Sequence, residues 1–169
     1  MRATWGHVHV EQCRMSRTRA IQALDRAADT YRVHTYHVDS VDGSYGESVA
    51  AAIGADPGRV FKTLVASVDG QHTVAIVPVQ HQLSLKALAR AAGGKRAHMA
   101  ESRDAERLTG YVVGGISPFG QTRRLPVYAD QSAFDHDTVF VSGGQRGIQL
   151  EIIPAVLRSI AGATPAPLT

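Results

Sequence analysis

The sequence predicts a mixed α/β domain in which a barrel-like sheet carries helices on its outside. Three observations lead there. β-branched runs outnumber helical stretches, some of them arrive as hairpins and others after helices, and no GxGxxG follows the first strand as a doubly wound nucleotide fold requires. With 169 residues and 44% hydrophobic content, the chain fills one core rather than two. The expected division is an extension over 1–15, one domain over 16–162 and a loose, Pro-rich tail over 163–169.

Residues 1–14 follow no period and precede a second methionine, Met15, so they read as a loose extension or an upstream start. His7, His9 and Cys13 have H-x-H-x3-C spacing but no fourth ligand, and no metal site is expected there. From Arg17, Ile21, Leu24, Ala28 and Tyr31 recur at helical steps, with Ser16 or Thr18 available as the cap. Val33–Val38 alternates and is β-rich. Ser44 with Glu47 forms a capping box before a short helix that Gly54 ends. Val60–Val68 and Thr73–Val77 are β-branched runs joined by Asp69-Gly70-Gln71-His72, a hairpin signal. Ser84 caps a helix that Gly93-Gly94 closes, and Glu101–Leu108 forms another, closed by Gly110. Strands follow around Leu125–Tyr128, in TVFVSGG and in GIQLEI, and Pro154 opens a last helix to Ile160.

Composition removes several classes of function. The single cysteine, Cys13, excludes an internal disulfide, the apolar runs are too short to span a bilayer, and the start has no apolar core of a secretory signal, so a cytoplasmic setting is expected. A net charge of +3 mildly favours a polyanionic partner. Basic residues come only in short pairs such as Lys95-Arg96 and Arg123-Arg124, without the stripes of a duplex binder, so DNA is not an expected partner. There is no Walker A loop, HExxH, GxSxG or CxxC, and no cofactor is expected.

Three features carry chemistry. Lys62 interrupts the apolar run VFKTLVASV: either its stem covers apolar surface with the ammonium in water, or the strand aims a cation into a pocket. The loop GGISPFGQ (114–121) is either a tight connection or a cradle whose N–H groups serve as oxyanion donors. SGGQRG places Arg146 after paired glycines, as a phosphate cradle or as an ordinary hairpin would. The histidines are scattered. His34 and His37 are three apart on a presumed strand and point to opposite faces, so they cannot chelate together.

In order along the chain, VFKTL (60–64), TGYVVGGISPFGQ (109–121) and SGGQRGIQLEI (142–152) closely resemble the YbaK family of Cys-tRNA(Pro) deacylases, relatives of the editing domain of prolyl-tRNA synthetases. The resemblance runs from about Arg17 to Ala161. It implies that 16–162 is an aminoacyl-tRNA editing domain with a pocket for the aminoacylated 3′ end of tRNA. It makes Lys62 the residue on which activity depends, and Gly114, Gly115, Ile116, Ser117 and Pro118 the loop that holds the aminoacyl group. Tyr36 matches a tyrosine of the family's early strand. Where relatives often carry an acidic residue this chain has Gln149, which weakens any role for a carboxylate there, although Glu151 faces the same side two residues on. Arg123, Arg124 and Arg146 are the expected tRNA contacts. The implied partners are aminoacyl-tRNA, tRNA(Pro) in particular, and prolyl-tRNA synthetase. The implied reaction is removal of mischarged cysteine, with the substrate thiol or a water as attacker. An Ala-tRNA(Pro) editor and a non-catalytic tRNA- or synthetase-binding module are the alternatives.

Overall fold

The computed structural model describes residues 17–39 and 43–169. The expected extension, its His7, His9 and Cys13, and Ser16 lie outside the described residues. The observed class is mixed α and β. The roll expected of the sheet takes the form of two sheets that meet at one bridge, between Val60 and Phe140, and not of a closed barrel.

Helix α1 (Arg19–Ala27) is capped by Thr18, whose hydroxyl accepts the Ile21 N–H and donates to the Gly143 carbonyl at 2.6 Å, tying the helix to a distant turn. Ala28 is left-handed, with φ of 54°, so the chain leaves the helix three residues before Tyr31. Tyr31, expected on the helix, instead opens β1 (Tyr31–Thr35). That strand ends earlier than the expected Val38 because its partner β7 (Ile148–Ile152) begins opposite Thr35, and the last link is Tyr36 N–H to the Gly147 carbonyl. Helix α2 (Tyr45–Ala52) starts at Ser44, whose hydroxyl accepts the Glu47 N–H and donates to the Glu47 carboxylate.

The hairpin β2 (Phe61–Val68) and β3 (Gln71–Pro78) turns on two residues, not four. Asp69 and Gly70 have φ of 48° and 88°, the pair of left-handed residues a tight hairpin needs, so Gln71 and His72 belong to the strand. Ser84 caps α3 (Leu85–Ala91) as expected. Then come β4 (Ala97–Met99), which no sequence signal announced, and α4 (Ser102–Thr109), closed by Gly110 at φ 76°. The chain finishes through β5 (Val127–Asp130), β6 (Val139–Ser142), β7, α5 (Ala155–Ser159) and β8 (Ala163–Ala166).

The smaller sheet has the order β1-β7-β6, all antiparallel. The larger has the order β4-β2-β3-β5-β8, with parallel pairs β3–β5 and β5–β8. The main core lies between the sheets and includes Leu24, Phe61, Ile76, Phe119, Leu150 and Leu157. A second core, under α3, covers the other face of the larger sheet. A small cluster of Ala50, Val60, Val79 and Phe140 sits beneath α2.

The tail is not loose. Residues 163–166 add an edge strand, Leu168 is fully buried, and its N–H donates to the Asp130 carboxylate at 2.8 Å. Composition suggested fraying because prolines cannot donate to a ladder, but the buried leucine and the carboxylate anchor the segment on both sides. Leu168→Ala should therefore cost roughly 2–5 kcal/mol in a urea titration. A loss near zero would restore the frayed tail.

Candidate active site

The site follows from how β2 is paired. β3 runs along its whole length, but β4 pairs only with Ala66–Val68, and the one bridge to β6 is made by Val60, just before the strand begins. Residues 61–65 are left without a strand on that side, the last link being Ala100 N–H to the Val65 carbonyl. Over this gap lies a cavity of about 400 Å³. The start of α2, the start of α4 and the loop at 113–116 enclose it, and Ser142 and Gln149 of the smaller sheet reach it from below. Met99 and Val113, both partly exposed, give its mouth an apolar rim.

Lys62 is the only charged residue among those that line the cavity, which include no His, Cys, Asp or Glu. Lys62 is among the lining residues and is half-buried, neither fully in water nor sealed in the core. Burial holds its ammonium below the ordinary lysine pKa, and the Glu47 carboxylate opposes that shift. Tyr45, next to the Ser44 cap, also lines the cavity. Its hydroxyl is pushed up to about 12, first by burial and then by the Tyr36 hydroxyl 3.1 Å away, so at neutral pH it is an uncharged donor. Tyr36 itself reaches the cavity only through this contact. Sequence reading missed Tyr45, because nothing in the local pattern distinguishes it from any other first-turn residue.

Within the expected loop, Gly114 and Ile116 line the cavity, whereas Gly115, Ser117 and Pro118 do not. Gly114 has φ of 90°, and a Cβ there would come within 2.9 Å of the Arg146 guanidinium, so both the backbone shape and the close approach require glycine. The Gly115 N–H is spent on the Val112 carbonyl at 2.9 Å, which removes it as an oxyanion donor. No hydrogen bond among the described residues uses the N–H of Gly114, Ile116 or Ser117. Ser117 is fully buried: its hydroxyl accepts the Phe119 N–H and its carbonyl accepts from Gln121, so it braces the loop from behind.

Arg146 is exposed at the cavity mouth. It donates to the Val113 carbonyl at 2.9 Å and lies over the Tyr45 ring at 5.7 Å, and in this way pins the loop to α2. Arg123 and Arg124 are exposed and away from the cavity lining. Gln149 is buried and lines the cavity. Glu151 does not stand in for it. Burial would raise its carboxyl pKa, but the Thr138 hydroxyl at 2.7 Å and His34 at 2.9 Å hold it low, and they commit it to a polar cluster behind the cavity. His37 lies beyond the end of β1, and among the described residues no three His, Cys, Asp or Glu gather as a metal site would need.

A model of the aminoacyl-tRNA editing domain matches residues 43–160. The chain belongs to this family. The inferred Cys-tRNA(Pro)/Cys-tRNA(Cys) deacylase EbsC of Enterococcus faecalis is 35% identical over 90% of this chain and 93% of its own length. The multifunctional Ser/Thr-tRNA deacylase ProXp-y of Escherichia coli K12 is 37% identical over 53% of this chain and 56% of its own length. A crystal structure of an inferred trans-editing enzyme for prolyl tRNA synthetase superposes with a TM-score of 0.79 at 26% identity, covering 89% of this chain and 94% of that one. The motifs at 60–64, 109–121 and 142–152 thus lie in a member of the editing family, and the match covers both Lys62 and the Gly114–Pro118 loop.

Because Glu47 raises the Lys62 pKa against burial, Glu47→Gln should move the Lys62 titration to lower pH. The ¹³Cε shift of Lys62 followed by NMR is the measurement. An unmoved midpoint would show that Glu47 does not act on the cavity cation.

Proposed function

We propose that this protein is a cytoplasmic aminoacyl-tRNA deacylase that cleaves mischarged cysteine from tRNA(Pro), acting in trans to prolyl-tRNA synthetase. The observation that carries this reading is that a single cation, Lys62, lines one cavity of about 400 Å³ together with Gly114 and Ile116 of the loop. That volume suits an esterified amino acid with part of its terminal ribose. The 35% identity to EbsC along nearly the full length of both chains supports cysteine as the amino acid. Cysteine and proline differ too little in volume for a synthetase pocket to separate them cleanly, since about one methylene is worth only ~1–3 kcal/mol, and a second hydrolytic site supplies the missing discrimination.

The chemistry follows from what the cavity lacks. With no His, Cys, Asp or Glu lining it, the cavity offers its Ser and Thr hydroxyls no imidazole or carboxylate base to activate them. The attacker therefore comes with the substrate. The cysteine sulfur adds to its own ester carbon, the carbon–oxygen ester bond breaks, the ribose oxygen leaves with the thiol's proton, and water later opens the resulting thiolactone. Lys62 anchors the terminal ribose or phosphate oxygens, and the uncommitted N–H groups of Gly114 and Ile116 stabilise the developing oxyanion. Arg123, Arg124 and the exposed part of Arg146 supply contacts to the tRNA backbone.

Lys62→Ala should keep its circular dichroism spectrum and lose about 10²-fold or more in deacylation of Cys-tRNA(Pro). Full activity in that variant would remove Lys62 from the site. Comparing Cys-, Ser- and Ala-tRNA(Pro) tests the attacker, because equal rates would leave no role for the thiol. Binding of tRNA should weaken between about 50 and 200 mM salt as counterions are released, and a flat response would argue against a tRNA backbone interface.

A further inference from the structure

Two buried side-chain atoms among the described residues have no hydrogen-bond partner: Thr63 Oγ1 and Gln149 Oε1. Both belong to residues that line the same cavity, and Thr63 and Gln149 are 7% and 6% exposed. Thr63 comes from β2, beside Lys62, on the stretch that has no strand along its second side. Gln149 comes from β7 of the other sheet. Three other hydroxyls around the cavity are engaged. Ser142 accepts the Gly144 N–H, Ser44 is committed to Glu47, and Tyr45 to Tyr36. Buried polar groups in folded proteins are almost always paired, so two exceptions on residues that line one cavity from two sheets point to a ligand that pairs them.

We infer that Thr63 and Gln149 are specificity determinants that hydrogen-bond the side-chain hydroxyl or thiol of the esterified amino acid, so that the cavity selects seryl and cysteinyl esters over alanyl ones. The inference rests on the deacylase reading above. Charge argues for the side chain over the substrate's α-ammonium. The cavity carries the Lys62 cation and no lining carboxylate, and where a carboxylate would attract an ammonium it has a neutral amide. A hydroxyl and an amide together match a small neutral group that both donates and accepts, as a serine hydroxyl does and, more weakly, a cysteine thiol. A methyl group leaves both atoms unpaired. Sites built to pair a substrate hydroxyl reject the analogue lacking it far more strongly than apolar pockets reject a change of one methylene.

Thr63→Val removes the hydroxyl at nearly constant shape, Gln149→Met removes the amide, and Thr63→Ser restores the hydroxyl. Measured as kcat/KM on Cys-, Ser- and Ala-charged tRNA(Pro), Thr63→Val and Gln149→Met should each shrink the cysteine-to-alanine and serine-to-alanine ratios by ~10-fold or more, the scale of one buried hydrogen bond. Thr63→Ser should recover most of the wild-type ratios. The melting temperature of Thr63→Val should hold or rise, because an unpartnered buried hydroxyl contributes nothing to the free fold. Parallel losses on all three substrates would overturn the inference, assigning these atoms instead to a group every aminoacyl ester shares or to an attacking water. A marked fall in melting temperature would likewise overturn it in favour of a structural role. Both results leave the deacylase reading intact. If the wild-type protein hydrolyses none of the three, that reading fails and the inference with it.

Discussion

The unpaired edge of β2 is the constraint on which the site depends. A strand in the middle of a sheet normally spends both rows of backbone groups on neighbours. Here one row is spent on β3, while the other is divided between a three-residue strand at one end and a single bridge at the other. β4 cannot extend further, because the chain turns at Ala100 into α4. The opening at residues 61–65 is thus a product of strand lengths. It is rigid because the hairpin to β3 fixes the register from Phe61 to Val68, and the Lys62 side chain issues from that fixed frame.

The electrostatics of the cavity complement this frame. The carboxylates nearby are directed elsewhere: Glu151 to Thr138 and His34, and Glu47 to the Ser44 cap, from which it acts on Lys62 without lining the cavity. Tyr45 stays protonated. What remains is one ammonium in a largely apolar hollow, together with amide and hydroxyl groups. Such a site orients and stabilises but does not take protons, which suits a substrate that carries its own nucleophile. Arg146 couples the parts mechanically, since it touches both the Gly114 turn and Tyr45 and so ties the loop to the helix that forms the opposite wall.

Much of this was legible along the chain. The Ser44 and Ser84 caps and the Gly110 stop are local devices, set by hydrogen bonds and φ values within a few residues, and each stands where its sequence placed it, while the first cap falls on Thr18 of the two residues offered and the hairpin turns on the first two of four. The departures were non-local. Tyr31 carries helical spacing but joins a strand, because Ala28 ends the helix first and β7 offers an edge. The Pro-rich tail is ordered by Asp130 and a buried leucine that lie far from it in the sequence. β4 has no periodic signal, being only three residues long.

The sequence by itself determined the class of the fold, the order of nearly all its elements, and the candidate residues Lys62, Gly114 and Gln149, because turn chemistry, periodicity and three ordered motifs are written in consecutive residues. Only the tertiary structure decided that Lys62 lines a cavity half-buried, that Gly115 spends its N–H within the loop, that Tyr45 stands in the cavity wall, and that Thr63 and Gln149, from two sheets, line that cavity with one oxygen each unpaired. The physical reason is that burial and pairing are properties of the neighbours a residue acquires, and in this fold those neighbours come from strands far apart in the chain, as β1 and β7 pair Tyr31 with Ile152.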